Sequence, residues 1–275
     1  VGFYLNTTTL DIAEKVDDGT YDVGFFYEDD DKKELGRSVV KTELKNIACS
    51  LVFNMADETI QNNNLRTGLV SCVDTSVISE NPLKSVLPSY YNVDNSKIET
   101  LSYNIKNARN IMVKAFEELN IKTLDIEIIC TSKDEDTAKA LVSNWQKNSG
   151  VELNGIVTVL EENDFNKRIA SDDFDIAICS LTVDSNNSAD FLSMFTTDNE
   201  MNISNYSSDE FNRLVNDLKS EPTNEKVVYC QSYLLKNAVV LPLFEETTTY
   251  AVHKDASGIY FSGDSSNMYF YKAQK

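Results

Sequence analysis

The sequence DDFDIAICSLTVDSNNSADFLSMFTTDNEMNISNYSSDEFNRLVNDL occupies residues 172–218 and decides the fold. A short, nearly continuous apolar run extends from Phe174 to Leu181, the pattern of a β-strand that is covered on both faces. The chain then becomes polar over residues 184–188. The loop that leaves the carboxyl end of a buried strand is the usual ligand position in an α/β sheet, so we expect a ligand here.

A helix is predicted to follow this polar loop. Ser207 and Glu210 have the spacing of a capping box, in which each side chain bonds to the backbone of the other residue. Apolar residues then recur on one helical face, at Phe211, Leu214, Val215 and Leu218.

The rest of the chain alternates between predicted strands and helices. The predicted strands cover residues 1–5, 21–26, 48–54, 124–130, 155–160, 174–181 and 239–244. The predicted helices begin at or near Thr9, Arg66, Ala108, Ser132, Asn163, Ser207 and Asn224, and Ser132 has a capping-box partner in Glu135. The strand–helix order between residues 124 and 181 predicts parallel strands joined by right-handed crossovers. Pro242 cannot donate a ladder hydrogen bond, so its strand is predicted to bend or to lie at an edge.

Composition limits the classes of partner. The chain has 275 residues, 41% of them hydrophobic, which is enough for one large domain or two. Its formal net charge is −19, and a surface of this sign repels phosphate backbones and anionic membranes. We therefore expect no nucleic-acid partner. A simpler interpretation is that the acidic surface is not directed at any particular partner. The sequence contains no stretch that predicts a membrane-spanning helix and does not begin with a signal peptide.

The cysteines are predicted to be small buried hydrophobic residues. Their number is odd, they are widely spaced and no two form a CxxC pair, so disulfides and metal sites are not indicated. They are Cys49, Cys72, Cys130, Cys179 and Cys230.

Several short motifs, none specific alone, together resemble extracellular solute-binding protein family 5, the oligopeptide- and dipeptide-binding proteins of ABC transporters. In residues 172–218 the matching positions are Phe174, Asp175, Ile176, Ala177, Asp184, Phe191, Leu192, Met194, Phe195, Asn205, Tyr206, Glu210, Phe211 and Asn212. Elsewhere they are Asp18, Gly19, Tyr21, Asp22 and Val23, residues 48–54, Arg66 and Asp74 within residues 65–74, and residues 239–244. The order and spacing of these motifs carry the resemblance.

The resemblance implies an α/β fold of the periplasmic-binding-protein-like type II. Residues 46–245 would form the second, carboxyl-terminal lobe, which is the ligand-binding half. Residues 1–45 and 246–275 would form a fragment of the first lobe and the hinge. A leader and a large amino-terminal region would precede Val1.

The resemblance also implies a function and a location. The protein would bind peptides in a cleft between two lobes and deliver them to ABC permease subunits. It would be an extracellular, membrane-anchored lipoprotein or a periplasmic protein, with membrane contact only through a lipid anchor outside this sequence.

Catalysis is not indicated. His253 is the only histidine, and the sequence has no G-x-S-x-G elbow, no Gly-rich phosphate loop and no metal-ligand spacing. The adjacent carboxylate pairs at residues 161–162 and 172–173 fit helix-end roles. We therefore expect no enzyme activity, no cofactor and no metal.

Asp184 is the strongest candidate for a ligand contact. The resemblance implies that its carboxylate pairs with the α-ammonium group of a peptide, a charge-assisted bond that is strong in a cleft with little water. The alternative is an aspartate that bonds to its own turn. The further candidates around it are Ser180, Leu181, Thr182, Asn186 and Asn187.

Two departures from the family pattern keep a second function open. Leu181 stands where an aromatic residue is usual, and residues 185–188 lack the proline that usually follows the aspartate. The protein would then be a degenerate solute-binding fold that acts in signalling or in surface interactions.

Overall fold

The computed structural model describes residues 9–27, 36–261, 268–269 and 272–274. The strand predicted over residues 1–5 lies outside the described residues. The helices are α1 (Thr9–Asp17), α2 (Asn63–Ser71), α3 (Ile105–Leu119), α4 (Glu135–Asn148), α5 (Glu162–Ala170), α6 (Ser188–Ser193), α7 (Asp209–Ser220) and α8 (Asn224–Lys236). The strands are β1 (Val23–Tyr27), β2 (Val39–Phe53), β3 (Thr123–Cys130), β4 (Glu152–Val159), β5 (Ile176–Leu181), β6 (Val240–His253), β7 (Tyr260–Phe261) and β8 (Met268–Tyr269).

Six of the strands form one mixed sheet in the order β1-β6-β2-β5-β3-β4. Strand β3 runs parallel to both β4 and β5, which confirms the parallel pairing predicted from the strand–helix order. Strands β5, β2, β6 and β1 then pair antiparallel in succession. The α/β class is therefore as predicted.

Strands β2 and β6 are long and connect two parts of the sheet. They pair along most of their length, with a register shift between Leu44 and Ile47. The second half of β6, which follows this shift, also pairs with β1. The first half of β6 has only β2 as a neighbour among the described strands. Pro242 lies in that first half, next to a second register shift, so its missing N–H costs no ladder bond there. The prediction for Pro242 is confirmed.

Among the described residues, the buried hydrophobic side chains form one large core and one small one. The large core surrounds β2, β3 and β5 and contains the fully buried Phe53, Trp145 and Phe191. All five cysteines are buried and free, as predicted for small hydrophobic residues. The small core joins α1 to the far half of β6 through Ala13, Val16 and Ala251. No helix among the described residues is both long enough and apolar enough to span a bilayer.

The starts of three helices differ from their predicted positions. Helix α7 is capped by Ser208 rather than Ser207, because the Ser208 hydroxyl accepts the N–H of Phe211 at 3.2 Å. The residue before α5 is Glu161 instead of Asn163. Residues 132–134 form a separate 3₁₀ turn, so Ser132 does not cap α4. Neighbouring polar residues compete for a cap, and local geometry selects among them.

Candidate ligand-binding site

The parallel strands end at one edge of the sheet, which we call the carboxyl edge and define as residues 131–134, 180–187 and 245–246. Strands β3 and β5 supply the first two segments at their carboxyl ends. Strand β6 supplies the third because Ala48 of β2 pairs with both Leu181 and Glu245. The sheet register thus brings together three segments that are distant in sequence, and Lys133 and Glu246 are 113 residues apart.

A triangle of hydrogen bonds occupies the carboxyl edge. The Lys133 ammonium group lies 2.9 Å from Glu246 Oε1 and donates to Ser180 Oγ at 2.9 Å. Ser180 Oγ also donates to Glu246 Oε1 at 3.0 Å. Burial disfavours the charge on Lys133, but the hydrogen bond and the negative charge of Glu246 outweigh it and raise the pKa of the ammonium group.

Asp134 lies beside this triangle and is only 4% exposed. Its carboxylate accepts from the Thr131 hydroxyl at 3.3 Å and from Cys49 Sγ at 3.8 Å. Burial raises the pKa of Asp134, and the charge of Glu246 acts in the same direction. The carboxyl edge therefore holds a carboxylate that is costly to ionise.

Cys49, Asp134 and Glu246 place one possible metal-ligand atom each within 4.8 Å of one another. A metal would require the Cys49 thiolate, yet burial raises the pKa of this thiol well above its usual value. The Lys133 ammonium group already binds Glu246. These two facts favour an acidic cluster with an internal counterion over a metal site.

The predicted ligand residues fall into two groups. Ser180, Asp184 and Asn186 are exposed at the carboxyl edge. Thr182 is half-buried, and its hydroxyl oxygen is buried without a hydrogen-bond partner in the described part of the chain. The side chains of Ser180, Asp184 and Asn186 can therefore meet a solute.

Leu181 and Asn187 have structural roles in this conformation. Leu181 belongs to the large hydrophobic core, so its side chain does not face a solute. Asn187 is the N-cap of α6, where its side-chain oxygen accepts the N–H of Ala189 at 2.9 Å. The Ser185 hydroxyl accepts the N–H of Asn187 at 3.0 Å and donates to Asp190 at 2.6 Å, which fixes the loop.

A turn of tyrosines packs against the same loop. The Tyr91 hydroxyl donates to the carbonyl oxygen of Ser185 at 3.0 Å, and the Tyr91 ring contacts Phe191 edge-on at 5.5 Å. The backbone N–H of Ser89 donates to Glu245. The sequence does not predict this turn, because contacts across about 100 residues or more leave no local pattern.

A separate groove of about 490 Å³ lies on the surface of α8. It is lined by residues 94–99 and by side chains of α8, including Tyr229 and Tyr233. None of the six residues predicted to bind ligand lines this groove. The candidate site at the carboxyl edge is therefore separate from this groove.

Comparisons with known proteins identify the fold. No protein-family model and no curated protein sequence matches the chain. Among solved structures, the substrate-binding domain of an oligopeptide ABC transporter from Bacillus anthracis str. Ames has a TM-score of 0.72 at 14% identity, over 96% of this chain and 56% of its own. Peptide-bound OppA from Listeria monocytogenes has a TM-score of 0.72 at 16% identity, over 94% of this chain and 55% of its own.

A third similar structure is the pheromone receptor PrgZ, whose structure describes its mode of peptide binding. Its TM-score is 0.68 at 18% identity, over 95% of this chain and 55% of its own. The chain has the fold of these periplasmic-binding-protein-like domains, as predicted, and spans little more than half the length of each. At these identities the similarity shows the shared fold.

Proposed function

We propose that this chain is the ligand-binding half of an extracytoplasmic solute-binding protein, which captures oligopeptides or dipeptides and delivers them to the permease subunits of an ABC importer. The observation that carries the proposal is the carboxyl edge, where the sheet places an exposed carboxylate, Asp184, beside further polar side chains. The peptide-binding proteins with the same fold support peptides as the ligand class.

The division into lobes is part of the proposal. Residues 46–245 form the second lobe, and residues 1–45 and 246–275 belong to the first lobe and the hinge. Two observations support this division: the large and small cores are separate, and β2 and β6 change register between Leu44 and Ile47. Closure of the lobes about these strands would cover a peptide bound at the carboxyl edge.

Location and partners follow from the same role. The protein works outside the cytoplasmic membrane, on the cell surface or in the periplasm, and a lipid anchor outside this sequence attaches it to the membrane. It binds the peptide without changing it, so it is not an enzyme. A single histidine, with Nδ1 accepting the backbone N–H of Asp255 at 3.3 Å, supports this view.

The proposal is tested at Asp184. If its carboxylate pairs with the α-ammonium group of a peptide, Asp184→Asn weakens the binding of free-amine peptides about tenfold or more and leaves amine-blocked peptides within about twofold. Isothermal titration calorimetry of the full-length natural protein, with peptide pairs that differ only in N-terminal acetylation, measures both numbers. Asp198→Asn, which removes the same charge at an exposed position outside the carboxyl edge, is the matched control. Equal affinities for both peptide types in both proteins would remove Asp184 from the site.

A second candidate function is signalling or surface interaction, by a degenerate solute-binding fold, without transport. It is favoured by the burial of Leu181 and the capping role of Asn187, which leave fewer side chains at the carboxyl edge to hold a ligand. Calorimetry with a peptide library separates the two candidates. Heat from many peptides supports a transport receptor, whereas heat from none or from a single sequence supports the second candidate.

A further inference from the structure

We infer that Lys133 is a built-in counterion of Glu246 that a basic side chain of the ligand replaces, so that the carboxyl edge selects peptides that contain lysine or arginine. The inference rests on the proposed peptide-binding function and adds the chemical class of the peptide. It is distinct from capture of the α-ammonium group at Asp184, because it concerns a side chain of the peptide and a different part of the carboxyl edge.

The charges at the carboxyl edge are unbalanced. Lys133 is the single basic residue in the three segments that define this edge. The acidic residues in the same segments are Asp134, Asp184, Glu245 and Glu246. A cationic group that approaches this surface is therefore attracted, and an anionic group is repelled.

Glu246 is the better fixed member of the ion pair. Its backbone pairs with Ile47 in the sheet, and its side chain is only 17% exposed. Lys133 lies in the 3₁₀ turn before α4, and its side chain is 47% exposed on a flexible four-carbon stem. Lys133 can thus swing into solvent while Glu246 remains in place.

A ligand cation can reproduce what Lys133 supplies. The Lys133 ammonium group makes two contacts here, one with Glu246 and one with Ser180, each 2.9 Å long. An ammonium or guanidinium group from a peptide side chain can donate to the same two oxygen atoms. The exchange leaves no buried carboxylate without a partner.

Binding of a ligand carboxylate to Lys133 is disfavoured by the same geometry. Such an anion would approach Glu246 and Asp134, whose oxygen atoms lie within 4.8 Å of one another. Like charges at this spacing repel one another in a partly buried site, and the charge of Glu246 adds to the burial that raises the pKa of Asp134. The pair therefore favours cationic ligands.

The test uses peptides that differ at one position. Three alanine-based pentapeptides carry lysine, norleucine or glutamate at the central residue, and calorimetry of the full-length natural protein measures their affinities. Because Lys133 competes with the ligand, we expect the wild type to bind the lysine peptide only about threefold more tightly than the norleucine peptide. The glutamate peptide binds most weakly, and the preference for lysine falls as salt is raised.

Two variants give opposite expected results. Lys133→Met removes the competitor and increases the preference for lysine to about tenfold, whereas Glu246→Gln abolishes the preference and leaves the norleucine affinity within about twofold. Lys219→Met changes the net charge equally at an exposed position in α7 and leaves the wild-type preference unchanged. Thermal melts establish that each variant is folded. If Glu246→Gln does not fold, the change in lysine preference of Lys133→Met tests the inference alone.

Each other result overturns the inference. If Lys133→Met weakens the lysine peptide, or if all three peptides bind equally, the pair does not select cations while peptide binding itself stands. If no peptide binds the wild type, the proposed function fails and the inference fails with it.

Discussion

The two ends of the parallel strands both carry polar side chains, but these side chains are arranged differently. At the amino end, Asn54 is 1% exposed and makes four side-chain hydrogen bonds. Its amide group donates to the carbonyl oxygens of Asp172 and Phe174 at 3.0 and 2.7 Å, and its oxygen accepts from Ala56 and Asn205 at 3.0 Å each. This equals the full bonding capacity of an asparagine side chain.

Arg66 has a similar role at the amino end. It is 4% exposed and donates to the carbonyl oxygens of Ile60, Gln61, Asn237 and Ala238, as well as to a side-chain oxygen. Burial lowers the pKa of its guanidinium group to about 10, so the group remains charged at neutral pH. It holds the loop after β2 against the chain segment that enters β6.

The carboxyl edge differs in that several of its polar side chains are exposed, although Asp134 is buried there. Lys133 and Ser180 are accessible to solvent, and Asp184 and Asn186 lie in an exposed loop. Buried polar groups with all their bonds made stabilise a fold, whereas accessible polar groups can bond to a ligand instead. The amino end therefore has the features of a network that stabilises the fold, and the carboxyl edge is the end at which we propose that the ligand binds.

Among the substitutions that test the contrast between the two ends, Arg66→Met is expected to have the largest effect on stability. The variant leaves four carbonyl oxygens without their donor, so we expect the free energy of unfolding to fall by about 4 kcal/mol. Arg66→Lys keeps the charge but loses the planar fork, and an intermediate loss is expected. Urea denaturation followed by circular dichroism measures both. A loss below about 1 kcal/mol would mean that water replaces the guanidinium group and that the amino end is less important for stability than we infer.

Asn54→Ala is expected to have the next largest effect. It leaves two buried carbonyl oxygens and two N–H donors with fewer partners, which lowers the free energy of unfolding by about 2 kcal/mol. The same substitution at the exposed Asn186 changes stability by less than about 0.5 kcal/mol. Thermal unfolding of the two variants side by side measures the contrast between the two ends, and equal losses would contradict it.

The sequence predicts most of the sheet because the relevant signals are local. The apolar run from Phe174 to Leu181 and the alternation of strands with helices indicate β3, β4 and β5 and their parallel direction, which the structure confirms. In the sequence, Arg66 and Asn54 stand out only because they belong to motifs that resemble the solute-binding family. Their hydrogen-bond partners depend on tertiary contacts, some across more than 100 residues.

The candidate site is less predictable for the same reason. Asp184 is a candidate because it lies in the polar loop that follows a buried strand. The triangle around Lys133 is missed because Lys133 and Glu246 are 113 residues apart in sequence. They are brought together by the pairing of β3 with β5, of β5 with β2 and of β2 with β6. In sequence, Lys133 lies within a helix-capping pattern and Glu246 at a proposed lobe boundary, and neither position suggests an ion pair.

The smallest expected effect concerns Asp134 at the carboxyl edge. Lys133, Glu246 and Cys49 face its carboxylate, and burial raises its pKa above the ordinary value of an aspartate. The folded protein therefore binds this proton more tightly than the unfolded chain does. The stability that results is fully present below the ordinary aspartate pKa and is lost as the pH rises through the raised pKa.

Asp134→Asn removes this loss because a carboxamide stays neutral. We expect the variant to be more stable than the wild type at pH 7 by less than about 1 kcal/mol, with the difference shrinking as the pH falls toward about 3.5. Thermal unfolding of both proteins across this pH range measures it. A variant that is less stable at pH 7 would show that attraction to Lys133 outweighs the cost of burial. The carboxyl edge would then stabilise the fold as the amino end does, and the contrast between the two ends would disappear.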